Sequence, residues 1–142
     1  MGLKNVPLKV QQVPIEYVNQ IWPSVAGYIS AAMEYSSGDY TVDEVKVMVS
    51  LGSWGLIVAT DDHNELHGAL VISYFNRPSE RVGFVVAIGG KLVSNRSTWA
   101  QFEDILRSNG ATYLEGAGRE SIVKLWSRYG MKQKYAIVGK KL

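Results

Sequence analysis

Apolar residues recur every three or four positions between residues 18 and 33, where Val18, Ile21, Trp22, Val25, Ile29 and Met33 mark one face of a helix. Pro23 and Ser24 interrupt that face, so the spacing predicts two short helices or one kinked helix. Residues 8–13 read as an edge strand, and Pro14 suits the first position of the helix that follows. Ser36, Ser37, Gly38 and Asp39 break the helical period. It resumes with Thr41 and Glu44, spaced as a capping box, ahead of Val42, Val45, Met48 and Val49, and Gly52 supplies the stop.

The middle of the chain changes character. Residues 54–60, 66–75 and 81–88 are rich in β-branched and aromatic side chains, and Asp61-Asp62-His63-Asn64 and Asn76-Arg77-Pro78-Ser79 have turn composition, which together predict an antiparallel meander. After Gly89-Gly90 the helical period returns over residues 98–107. Thr98 and Gln101 read as a second capping box, Trp99, Phe102, Ile105 and Leu106 as the apolar stripe, and Gly110 follows the end. A strand at 112–115, a helix at 119–129 stopped by Tyr129-Gly130-Met131, and a strand at 134–138 complete the order. The helix between strands 81–88 and 112–115 supplies the crossover a parallel pair requires, so these two should be parallel neighbours. The expectation is an α+β fold: a mixed central sheet with an antiparallel meander and helices on both faces. No repeat or linker divides it, so residues 1–142 read as one domain.

Composition narrows the function classes. A chain of 142 residues buries about two thirds of its unfolded surface, enough for a core without staples. At 46% hydrophobic and 20% charged residues with a net charge of +2, neither disorder nor a polyelectrolyte tail is indicated. The 15 basic residues are scattered apart from Lys132, Lys134, Lys140 and Lys141, which reads as a solvated surface and not as a nucleic-acid footprint. Absence of cysteine excludes disulfides, a thiol nucleophile and thiolate metal sites. No long apolar run and no signal-peptide core occur, and Val6 stands where myristoylation needs Ser or Thr, so a cytoplasmic protein without membrane attachment is expected.

The order of elements resembles the GNAT N-acetyltransferase family across nearly the whole chain. Trp22-Pro23, Gly52-Ser53-Trp54, Ile88-Gly89-Gly90, Gly118-Arg119 followed by Trp126, Tyr129-Gly130-Met131 and the closing Lys141-Leu142 are similar, more narrowly, to short GNAT-like proteins encoded by bacteriophages and prophages. The resemblance implies that strands 81–88 and 112–115 diverge at their C-terminal ends, with acyl-CoA, acetyl-CoA in the simplest case, in the gap. It implies cofactor contacts at Val86, Ile88, Gly90, Lys91, Asn95, Arg96 and Ser97, with the pyrophosphate at the N-terminus of the following helix.

The sequence also departs from that family. Active members carry a glycine-rich phosphate loop, whereas here Gly89 and Gly90 come early and Asn95, Arg96 and Ser97 precede the helix. The Tyr that would protonate the leaving thiolate is replaced by Trp126, whose indole N–H does not give up its proton near neutral pH, and the expected Asn is Arg119. Tyr129, as a displaced acid, and Glu115, at the end of the strand bordering the gap, are the remaining catalytic candidates; Glu34, Glu120 or a water are other bases. A packed aromatic is the plainer role for Tyr129, and a solvated carboxylate for Glu115. His63 and His67 near Asp61, Asp62 and Glu65 lie on a hairpin that splays them apart, so no metal site is expected. Two functions follow: acyl transfer to a small amine or a protein amino group, or a non-catalytic role as a virion component or an adaptor binding a phage or host protein, in the host cytoplasm or the virion. An exposed edge at the final strand would also allow a homodimer.

Overall fold

The computed structural model describes residues 7–34, 38–92 and 95–142. Ser36 and Ser37 of the expected break, and Val93 and Ser94 of the expected phosphate loop, lie outside them. The elements in chain order are β1 (Lys9–Gln12), a 3-10 turn (Ile15–Tyr17), α1 (Val18–Met33), α2 (Val42–Ser50), β2 (Trp54–Thr60), β3 (Leu66–Arg77), β4 (Glu80–Gly90), α3 (Arg96–Ser108), β5 (Tyr113–Gly116) and α4 (Glu120–Ser127). All five strands form one sheet in the order β1-β2-β3-β4-β5. The first three junctions are antiparallel, and β4 with β5 is parallel, joined by α3 as the crossover.

Helices cover both faces, and alternation along the strands divides the core in two. Ile57, Ala59, Leu70, Ile72 and Val85 face α3 and α4, against Trp99, Phe102, Leu106 and Trp126. Leu56, Val58, Ala69, Val71 and Ala87 face α1 and α2, against Trp22, Val25, Ile29, Val45 and Val49. Burial on both sides is why β2 and β3 read as continuous apolar runs. Pro23 lies inside α1, which remains one helix, and the Thr41–Glu44 capping box opens α2.

Two local expectations are corrected. Helix α3 begins at Arg96: the Asn95 side chain accepts the Thr98 N–H and the Thr98 hydroxyl accepts the Asn95 N–H, so Thr98 closes a capping box with Asn95 and not with Gln101. Gln101 instead reaches the edge of the sheet, accepting the Val10 N–H at 2.8 Å and donating to the Leu8 carbonyl at 3.1 Å. The strand expected at 134–138 is not formed. The Met131 N–H still bonds to the Trp126 carbonyl as part of the α4 stop, but no backbone–backbone hydrogen bond is made from Lys132 onward among the described residues. Strand composition becomes a strand only when a backbone ladder forms, and residues 134–138 form none among the described residues.

Candidate functional site

Strands β4 and β5 part where β4 is irregular. Their pairing runs from Val82 opposite Tyr113 to Val85 opposite Gly116 and stops, while β4 continues to Gly90. On the other side of β4, Val71 pairs with Ala87 but Ile72 pairs with Val85, leaving Val86 as an extra residue. Such a bulge bends its strand. The bulge therefore coincides with the end of the parallel ladder, and past it β4 backbone groups on the β5 side have no strand partner. A cleft of about 100 Å3 opens there, lined by Val86 and Ile88 of β4, Gly118, Ile122 and Trp126 from β5–α4, and Met33 of α1.

Only part of the expected cofactor set converges on this cleft. Val86 and Ile88 line it; Gly90, Lys91, Asn95, Arg96 and Ser97 lie exposed between the end of β4 and the start of α3. Asn95 is committed to capping, and the Lys91 N–H to the His67 carbonyl at 2.8 Å. The side chains of Lys91 and Arg96 make no ion pair among the described residues. Gly89 and Gly90 serve packing: a Cβ on Gly89 would overlap the Tyr28 carbonyl of α1, and Gly90, at φ +76°, sits against the His67 carbonyl.

Trp126, where a phenol was expected, is buried, with its ring edge against Gly116 and Gly118. Tyr129 stacks on Trp99, ring centroids 4.7 Å apart and planes 12° from parallel, away from the cleft lining. Glu115 is not a free carboxylate: Arg77 donates to both its oxygens at 2.6 and 3.1 Å, and the Lys134 ammonium lies 2.9 Å from one of them. The Arg77 hydrogen bond, aided by Lys134, holds its pKa below the usual carboxylate value against a desolvation that raises it. A carboxylate so held is a poor proton acceptor. Glu34 and Glu120 are exposed. Neither Arg77 nor Lys134 carried a sequence signal, since 38 and 19 residues separate them from Glu115.

His67 pairs with Asp61 at 2.8 Å. That hydrogen bond, with the Glu65 and His63 N–H groups, lowers Asp61 to about 2. The pair closes a turn. Among the described residues no three His, Cys, Asp or Glu side chains gather as a metal site, and no helix is long and apolar enough to cross a membrane. A wider cleft of about 640 Å3, which sequence reasoning missed, opens at the opposite end of the sheet between Ile15, Trp54, Gln12, Tyr74, Arg81 and Asn109. Its polar wall is internally bonded, the Asn109 amide donating to Gln12 Oε1 and the Tyr74 hydroxyl at 2.8 Å each.

No protein-family model matches the chain, and no curated protein matches it in sequence. Solved structures match its shape. An aminoglycoside acetyltransferase, HMB0005, from an uncultured soil metagenomic sample superposes with a TM-score of 0.68 at 12% identity over 96% of this chain and 99% of that one. A ribosomal-protein-alanine N-acetyltransferase from Brucella melitensis biovar Abortus 2308 gives 0.67 at 11% identity over 96% and 99%. The chain has the GNAT fold. A predicted acetyltransferase with acetyl-CoA from Clostridium acetobutylicum, at 0.64 and 7% identity over 95% and 96%, shares this GNAT architecture. At such identities the likeness is one of fold, and function must be argued from the site.

Proposed function

We propose that this GNAT-fold protein is an acyl-CoA-dependent N-acyltransferase of low intrinsic rate, with acetyl-CoA the simplest donor and a small amine or a protein amino group the acceptor. The observation that carries the reading is the coincidence of the Val86 bulge with the end of the β4–β5 ladder. It frees backbone donors of β4 at a cleft, where a fixed N–H polarises a carbonyl at no reorganisation cost. The residues fit the donor in part. Backbone at Val86 and Ile88 suits the thioester end, and the start of α3, with Lys91 and Arg96 beside it, suits its phosphates.

The donor supplies an activated thioester, and the chain's contribution is to hold it and polarise its carbonyl. The amine nitrogen forms the new C–N bond, the C–S bond breaks, the thiolate leaves, and the amine proton passes to water. Among the described residues three acid–base candidates are not placed to speed the proton transfers: Trp126 cannot act as an acid, Tyr129 is stacked away, and Glu115 is ion-paired. Loss of general acid–base help removes about 10²–10⁴ in rate, which is why slow transfer is expected.

A second reading is favoured by Trp126 itself, because its ring fills the space over Gly116 and Gly118 and leaves a cleft of only about 100 Å3. On that reading the chain is a non-catalytic adaptor or virion component; phage origin rests on the sequence resemblance alone. Thermal unfolding with acetyl-CoA separates the two. Ligand at about 100 times its dissociation constant stabilises by roughly 2.7 kcal/mol, a rise of several degrees for a domain of this size. A rise abolished by Lys91→Glu with Arg96→Glu supports acyl transfer; a flat response supports the adaptor.

A further inference from the structure

At the end of β4 away from its parting with β5, the sheet is uneven. β1 ends at Gln12 and β2 begins at Trp54 opposite Ser73, while β3 and β4 run on together to Arg77 and Glu80. The cleft of about 640 Å3 occupies that step, a volume in the range of small-molecule sites. Gly55 keeps its floor open, since a Cβ there would lie 3.1 Å from Ile72 and 3.5 Å from the Gln12 amide. One wall is apolar: Ile15 is 53% exposed, and Trp54 is held edge-to-face against Tyr40 with ring centroids 4.9 Å apart.

The other wall carries a charge that nothing answers. Arg81 lies over the Tyr74 ring at 5.1 Å and donates from Nε to the Asn109 carbonyl and from Nη1 to Asn76 Oδ1, at 3.2 Å each. These bonds fix the guanidinium, yet among the described residues Nη2 has no partner and Arg81 pairs with no carboxylate. No acidic side chain lines the cleft. By donating to both Gln12 Oε1 and the Tyr74 hydroxyl, the Asn109 amide leaves the Gln12 NH2 group and the Tyr74 O–H as unspent donors, with Asn109 Oδ1 as a neutral acceptor beside them. Burial pushes Tyr74 above its ordinary 10.0, so its proton stays in place at neutral pH. Capping of the α3 C-terminus accounts for the Arg81 Nε bond to Asn109 and leaves the other donors over.

We propose that this cleft is a second binding site, for a small monocarboxylate with an apolar body, its carboxylate on Arg81, Gln12 and Tyr74 and its body against Trp54 and Ile15. One guanidinium matches one negative charge, and a planar N–H edge flanked by neutral donors suits the two oxygens of a carboxylate. The apolar wall calls for more than an inorganic anion, which would leave Trp54 and Ile15 uncovered. The site holds on either reading of the β4–β5 cleft.

NMR of the whole protein, titrated with phenylacetate into the millimolar range at constant ionic strength, tests this, with phenylacetamide and phenethylamine as the neutral and cationic counterparts. Phenylacetate should give saturable shifts at the Trp54 indole, the Gln12 and Asn109 side-chain amides and Arg81 Nε, and the two counterparts should bind more weakly. Arg81→Gln should weaken phenylacetate binding about 10- to 100-fold, the worth of a charge-assisted hydrogen bond. Because Arg81 also holds Asn109, the half-exposed Ile15 supplies variants that spare the core: at low salt Ile15→Glu should bind phenylacetate about threefold or more weakly than Ile15→Lys. Shifts that do not saturate, equal binding of phenethylamine, shifts confined to Val86 and Ile88, an affinity unchanged in folded Arg81→Gln, or one indifferent to the sign of charge at position 15 would each overturn the proposal.

Discussion

The indole of Trp126 presses on Gly116 so closely that a Cβ added there would lie 2.8 Å from its ring carbons. The contact joins α4 to β5 just where β5 leaves β4. Trp126→Ala should therefore destabilise by about 3–5 kcal/mol, as truncation of buried aromatics does. Gly116→Ala should cost about 1–3 kcal/mol through overpacking. Their sum should exceed the double variant, because the added methyl fills part of the space the indole vacates. Urea denaturation of the four proteins measures the coupling, and strict additivity would mean that ring and glycine do not share one contact.

Glu115 makes an acid-sensitive device of the β5 end. Its pKa is depressed below the ordinary 4.5, first by the Arg77 hydrogen bond. A depressed carboxylate contributes stability that is complete above its unfolded value and is lost as pH falls through the lower native value. Glu115→Gln should thus cost about 1–3 kcal/mol at pH 7, with Arg77 left half paired, and the wild-type and variant curves should converge as pH drops below 4.5. Lys134, raised above 10.5 by the same carboxylate, works at the other end: its contribution is complete below 10.5 and fades as pH rises past its native value. Denaturation midpoints across pH check both limbs.

What was legible in the sequence was what repeats locally. Periods of two and about 3.6 placed every strand from β1 to β5 and all four helices within a few residues, and the α3 crossover fixed the one parallel pair. Long-range relations were not legible. Nothing in the order of residues told that Arg77, in an expected turn, would hold Glu115, or that Gln12, Tyr74 and Asn109 would meet around the second cleft. The strand at 134–138 failed for a related reason. Its composition is right, but its partner is set by tertiary structure, which periodicity does not encode. The bulge at Val86 was invisible too, because β-branched residues on both sides of it read as one uninterrupted strand.

Gly89 gives a prediction that separates packing from ligand binding. With the Tyr28 backbone against its Cα, Gly89→Ala forces α1 away from β4. A loss of about 1–3 kcal/mol is expected even without any ligand present, from strain in a packed interface. Thermal unfolding in plain buffer decides it: an unchanged midpoint, with an effect emerging only when acetyl-CoA is added, would mean that Gly89 serves ligand binding and not packing.

The last prediction concerns Gln101, a helical side chain that stands in for a strand. By accepting the Val10 N–H and donating to the Leu8 carbonyl it completes the outer side of β1, spanning 91 and 93 residues of sequence. Removal leaves two part-buried backbone groups unpaired, which costs about 1–3 kcal/mol for each group that water cannot reach. Gln101→Ala should lower stability by that order and should speed amide exchange at Val10 selectively, leaving Gln11, whose N–H faces β2, unchanged. Gln101→Glu keeps the acceptor but puts an anion against the Leu8 carbonyl, so it should protect the Val10 amide while recovering only part of the stability. Equal exchange at Val10 in all three proteins would mean that the edge of β1 is held by the sheet alone.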